Sequence, residues 1–231
     1  MFSGKYATAA VFAIAMFCLL PMLTHAAPIT FDFEGETATF TPPAARTGAL
    51  TTLTMTKSGL TVTITRPGSS FDIVENIMGQ AKPPSWGTKS LDPFFDATTS
   101  TPFIVNFSMP VISVSVDMGD YGQDDDDLLL EGYAGLDVTG TLLAIETDFL
   151  PGGGFDFSFL TLATAVPAIR SVKMIGGSSA FPSSVFFDNL TVDPGVTPVI
   201  PEPSTAILLS IGFMAFGLFL FRPRRGVVKV S

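Results

Sequence analysis

Thr52-Leu53-Thr54-Met55-Thr56-Lys57-Ser58-Gly59-Leu60-Thr61-Val62-Thr63-Ile64-Thr65 decides the fold. Apolar side chains alternate with threonine on both sides of Lys57-Ser58-Gly59. Period-two alternation marks strands with one buried face, and β-branched residues suit them. Lys57-Ser58-Gly59 between two such runs reads as a hairpin turn. Working outward, Phe103, Val105 and Phe107 point one way, and after Pro110 so do Ile112, Val114 and Val116. Phe186, Asp188, Leu190 and Val192 are expected to share a face. Further strand-like runs lie at 29–33, 71–77, 128–133, 138–147, 155–162 and 169–175. No segment between 28 and 200 has a helical period, and Gly and Pro separate the runs. Ten or eleven short strands predict an all-β domain over 27–192, a two-sheet antiparallel sandwich of jelly-roll type.

Composition narrows the partners. The chain has 231 residues, 47% hydrophobic and only 14% charged, with 21 Asp and Glu against 12 Lys and Arg. Residues 28–200 carry seven positive and twenty negative charges, a net of −13. Phosphate binding needs clustered Lys and Arg, so nucleic acid is not an expected partner. The single Cys (Cys18) and single His (His25) lie near the N-terminus. The rest of the chain therefore cannot form a disulfide framework, a Cys/His zinc site or a Ser-His-Asp triad.

Both ends read as addresses. Lys5, an apolar run from Ala7 to Leu20, Pro21 and then Thr24-His25-Ala26 have the layout of a secretory signal over 1–26, cleaved after Ala26 or Ala27. An uncleaved anchor is the alternative. At the other end, Thr191 to Ile200 reads as an extended, proline-containing connection, with the linker proper at 193–200. Pro201-Glu202-Pro203-Ser204 follows, then an apolar stretch of 17 residues at 205–221, enough for a short membrane helix, closed by Arg222-Pro223-Arg224-Arg225. Basic residues stay on the cytoplasmic side, which leaves the middle of the chain outside the inner membrane.

Pro201-Glu202-Pro203, the apolar stretch and Arg222, Arg224 and Arg225 together resemble the PEP-CTERM sorting signal of Gram-negative bacteria (residues 201–231). That resemblance implies recognition by an exosortase in the inner membrane, processing near the tripeptide and delivery to the cell surface or extracellular matrix. Ile29-Thr-Phe-Asp-Phe-Glu34-Gly35 and Val185-Phe-Phe-Asp188-Asn189-Leu190-Thr-Val192 resemble the first and last strands of jelly-roll modules attached to such tails, and of some carbohydrate-binding modules. The resemblance implies a calcium ion tying those strands, with Glu34 and Asp188 as ligands.

The densest polar stretch is Asp117-Met-Gly-Asp120-Tyr121-Gly-Gln-Asp124-Asp125-Asp126-Asp127. Crowded carboxylates repel one another, and Ca²⁺ relieves this with oxygen ligands from flexible loops. Asp117, Asp120, Asp124 and Asp126 are its candidate ligands. The alternative is a solvated loop that blunts a sheet edge. Trp86, in a loop-like segment, and Tyr121 are candidate contacts for sugar rings, with core packing the alternative for Trp86. Paired carboxylates hydrolyse glycosides at suitable separations, but sequence spacing selects no pair, and three Trp and Tyr make a poor glycosidase cleft. The expected activity is non-enzymatic: a structural or adhesive surface protein, or alternatively a calcium-dependent binder of exopolysaccharide.

Overall fold

The computed structural model describes residues 23–198 apart from 43, 76–83, 94–97, 121, 123 and 155, together with 212 and 216. The strands of the domain are β2 (Ile29–Phe31), β3 (Thr52–Lys57), β4 (Leu60–Thr65), β5 (Asp72–Glu75), β6 (Lys89–Asp92), β7 (Phe103–Val111), β8 (Ser113–Asp120), β9 (Asp126–Tyr133), β10 (Leu142–Leu150), β11 (Asp156–Ala163), β12 (Ile169–Gly177) and β13 (Phe186–Asp193). A short 3₁₀ turn spans Pro84–Trp86. These elements belong to one compact unit, Ala26–Gly195. The other unit contains β1 (Leu23–His25) paired antiparallel with β14 (Val196–Pro198).

Two six-stranded antiparallel sheets share one core. The first has the order β10-β9-β12-β7-β4-β3; the second runs β11-β8-β13-β6-β5, with β2 also on β13. Leu53, Met55, Leu60, Val62, Ile64, Phe103, Val105 and Phe107 from the first sheet meet Val114, Val116, Met118, Phe187, Leu190 and Val192 from the second. The β3–β4 hairpin closes through Ser58 (φ 51°) and Gly59 (φ 80°), with Lys57 opposite Leu60. Two positive φ values make the primed turn whose twist matches paired strands.

Two expectations are corrected. The run at 138–147 is not one strand: Ala134–Thr141 is a loop, and β10 begins at Leu142. This loop folds over the first sheet, held by Asn106 and Asp137, which exchange hydrogen bonds of 2.7 and 2.8 Å. β14 lies within the stretch read as an extended connection, and its partner β1 lies at the end of the segment read as a signal. Phe186, Asp188, Leu190 and Val192 do not share a face. A bulge shifts the register of β13 on β8 between Asp188 and Thr191, with Asn189 at φ 48°. One extra residue reverses the alternation. Phe187, Leu190 and Val192 thus enter the core, while Phe186 joins a separate cluster with Phe40, Val74 and Trp86.

The rest of the signal segment, and the sorting residues Pro201, Glu202, Pro203, Arg222, Arg224 and Arg225, lie outside the described residues. Gly212 and Phe216 within the apolar stretch are helical. No described helix is long and apolar enough to cross a membrane.

Candidate functional site

The bulge at Asn189 places Asp188 away from the core, on the side of the second sheet that the Pro84–Trp86 turn covers. Asp117 is its cross-strand partner on β8. The Asn189 amide donates to Asp117 Oδ2 (2.8 Å) and to the Ser85 carbonyl (2.8 Å), pinning the turn over both carboxyls. Asp188 is 1% exposed; its Oδ1 accepts the Asn189 N–H (2.7 Å) and its Oδ2 the Ser90 hydroxyl (3.4 Å). Burial pushes the Asp188 carboxyl up to about 8; the Asn189 N–H works against this, and the charges of Asp117 and Glu34 add to it. Burial also raises Asp117, partly offset by the Asn189 amide.

Glu34 stands at the edge of this cluster, just past β2. Thr88 donates its N–H (2.5 Å) to Oε1 and its hydroxyl (2.5 Å) to Oε2, and the Lys89 N–H (2.8 Å) adds to Oε1. A Cβ on Gly87 would collide with Oε1, so the approach needs glycine there, where φ is 53°. Burial acts to raise the Glu34 carboxyl, but these donors outweigh it and hold it below the usual carboxylate range.

The acidic loop joins β8 to β9, which are interior strands of the two sheets. It therefore blunts no edge. Asp120 and Asp126 are buried at 9% and 1% exposure, while Asp124 is exposed. Asp120 Oδ2 and Asp124 Oδ1 converge on the space a Cβ of Gly122 would take. Burial pushes Asp126 up to about 7, helped by the charge of Asp120, a hydrogen bond with it and the charge of Asp124; the Ser184 hydroxyl (3.4 Å) opposes the rise. Among the described residues, no three Asp, Glu, His or Cys side chains stand together as a ready metal cage.

The candidate sugar contacts fare differently. Trp86 is 0% exposed and packs with Phe40, Val74 and Phe186, so it is core and offers no ring to a ligand. Tyr121 lies outside the described residues. Sequence reading missed the exposed aromatics. Among the described residues, five of the nine large exposed hydrophobics sit on β10 and β11: Leu142, Ile145, Phe149, Phe157 and Phe159. These are the edge strands of the two sheets on one flank. The signal was present in Phe149 and in the Phe157/Phe159 pair two residues apart, but phenylalanine alone does not distinguish core from surface.

No protein-family model matches the chain, and neither does any curated protein sequence. Among solved structures, the chain is similar to the K2 cleaved adhesin domain of Lys-gingipain at 12% identity, over 72% of this chain and 97% of that one, with a TM-score of 0.45. It is similar to an arabinose-bound GH51 α-L-arabinofuranosidase at 12% identity, over 77% of this chain and 29% of the enzyme, with a TM-score of 0.44. A third is the CBM22-1–CBM22-2 tandem domain of Paenibacillus barcinonensis Xyn10C, at 12% identity, covering 78% and 48%, with a TM-score of 0.37. Likenesses of this size carry no argument about activity.

Proposed function

We propose that this is an exported, non-enzymatic protein of the surface or extracellular matrix of a Gram-negative bacterium, with a β-sandwich that serves a structural or adhesive role. The observation that carries the domain's part is the flank of β10 and β11. It exposes Phe149 (52%), Phe157 (44%) and Phe159 (59%) beside Asp148 and Asp156. Exposed apolar patches rimmed by polar groups mark contact surfaces. Strand order supports the jelly-roll form: β6-β13-β8-β11 faces β7-β12-β9-β10, and from β6 to β13 the chain crosses between sheets at every step except the β9–β10 hairpin. Sorting by exosortase, after a period in the inner membrane, is supported by Pro201-Glu202-Pro203, the apolar stretch and Arg222, Arg224 and Arg225. The test is cell-to-cell or cell-to-matrix adhesion of strains expressing Phe149, Phe157 and Phe159 together as Ser. Loss of adhesion with normal surface delivery is expected. Unchanged adhesion would overturn the adhesive reading, and delivery unaffected by replacing Pro201-Glu202-Pro203 would overturn the sorting.

A second reading, a calcium-dependent binder of exopolysaccharide, is favoured by one observation: at the β8–β9 corner the buried Asp126 is hydrogen-bonded to Asp120 and feels its charge and that of Asp124. Ca²⁺ there would relieve the repulsion and take polysaccharide oxygens among its six to eight ligands. Co-sedimentation with the producing cell's exopolysaccharide would be saturable in Ca²⁺, absent in chelator and lost in Asp126→Asn. Equal sedimentation in both conditions would exclude this reading.

A further inference from the structure

The strand resemblance implies calcium between Glu34 and Asp188, and the geometry at Glu34 does not fit that ion. Both Glu34 carboxylate oxygens already accept hydrogen bonds from Thr88 and Lys89. The backbone oxygens beside them are also taken: the Lys89 ammonium donates to the Glu34 carbonyl (2.9 Å) and to the Glu36 carbonyl (2.5 Å). Ca²⁺ would need six to eight oxygens. Placed here, it would face N–H donors and a like charge.

We infer that the Lys89 ammonium is the resident cation of this clasp, tying the loop after β2 to the start of β6, and that Glu34 takes no metal. One residue supplies both halves of the lock. Its N–H holds the Glu34 carboxylate, and its side chain holds the two carbonyls of the same turn. Charge-assisted bonds of this kind are short and stronger than neutral ones. The turn they secure carries Phe33 at φ 59° with its side chain 2% exposed, a conformation uncommon outside glycine. Gly87 lets the Thr88-Lys89 backbone come close enough to close the lock. A lysine clasp works at any calcium concentration, whereas a metal clasp fails when the ion is removed.

Two measurements on the full chain test this. In the first, lysine acetylation by a water-soluble reagent is followed by mass spectrometry in Ca²⁺ and in chelator. Lys89 should react at least about tenfold more slowly than in the urea-unfolded chain under both conditions. Reactivity equal to the unfolded chain, or protection released by Ca²⁺, would overturn the proposal, because the ion would then own the site. In the second, Lys89→Met should lower Tm by roughly 3–8 °C, and equally in Ca²⁺ and in chelator, because the Thr88 and Lys89 donors still occupy the Glu34 carboxylate. An unchanged Tm in Lys89→Met, or a Glu34-dependent calcium shift in the unsubstituted chain, would overturn it as well. Lys89→Arg, which keeps the charge, should recover at least half of the lost Tm if the cation is what matters.

Discussion

Asp188 on β13 and Asp117 on β8 stand directly opposite one another, and both are buried. Like charges in that position are destabilising, so one carboxyl must hold a proton. Asp188 is the better keeper, pushed to about 8 by burial and then by its acidic neighbours. The consequence for stability follows from its sign. Above about pH 4 the unfolded chain gives up this proton, whereas the folded chain keeps it until about pH 8. Stability therefore falls as pH rises across that window, by up to about 1.4 kcal/mol per pH unit for a single proton. Asp188→Asn keeps an acceptor for the Asn189 N–H and removes the titration. Urea unfolding should find it more stable than the unsubstituted domain at pH 8 and nearly equal at pH 4. An identical pH dependence for the two proteins would refute this assignment.

Trp86 tests whether the second cluster is structural. Its ring lies against Phe40, Val74 and Phe186, under the turn that covers Asp117 and Asp188. Trp86→Ala should cost about 3–5 kcal/mol, the range for truncating a large buried ring. Emission from this single tryptophan should be blue-shifted and shielded from iodide in the folded protein. Strong iodide quenching without unfolding would place the ring at the surface and reopen a ligand role.

Asp72 organises the loop that covers the same side. Its carboxylate accepts the Thr39 hydroxyl (2.7 Å), the Thr47 hydroxyl (2.6 Å) and the N–H groups of Thr47 (2.9 Å), Gly48 (2.8 Å) and Ala49 (3.3 Å). Burial acts to raise this carboxyl; the hydroxyls of Thr47 and Thr39, followed by the backbone donors, hold it below the usual range. A depressed folded value contributes stability above about pH 4, which is lost as pH falls through that folded value. Asp72→Ala orphans several donors at once and should cost about 3 kcal/mol or more at pH 7. The deficit should shrink in denaturant titrations as pH falls below the unfolded-chain value of about 4 and through the lower folded value. A loss below about 1 kcal/mol at pH 7 would mean that water satisfies the loop without Asp72.

The β3–β4 hairpin was legible because its information is local: threonine alternation sets the faces, and Ser58-Gly59 sets the turn. β13 was legible as a strand but not in its facing, because a bulge leaves the letters alternating while the side chains change sides. β6 escaped notice because Lys-Ser-Leu-Asp has one apolar residue. Its buried Ser90 and Asp92 are satisfied at long range, Ser90 by Asp188 and Asp92 by the Arg46 guanidinium at 2.8 Å. The same limit applies to the candidate site. Glu34 and Asp188 were singled out by the resemblance that their strands carry, but Lys89 was not, since its partners lie more than fifty residues away in sequence.

The flank that exposes Phe149, Phe157 and Phe159 is also an edge, and hydrophobic edges invite pairing with another chain. Two aspartates accept backbone donors along it. Asp148 Oδ1 accepts the Phe149 N–H (2.9 Å), and Asp156 Oδ1 accepts the Phe157 N–H (2.9 Å). Asp148 Oδ2 also takes the Ser158 hydroxyl, bridging β10 to β11. The Ser158 hydroxyl, then the Phe149 N–H, hold the Asp148 carboxyl below the usual range, so the cap is intact at neutral pH and opens only in acid. Replacing both aspartates with alanine removes the acceptors of the Phe149 and Phe157 N–H groups and two negative charges beside exposed phenylalanines. Sedimentation should then show self-association at least roughly tenfold tighter than in the unsubstituted protein at pH 7, given about 1 kcal/mol for each new backbone bond. Restoring charge at Phe159, as Phe159→Lys, should return the double variant to its original state, because an inward or flanking lysine is a common guard of such edges. If the double variant remained as dispersed as its parent, these carboxylates would be ordinary surface charges and not guards of the edge.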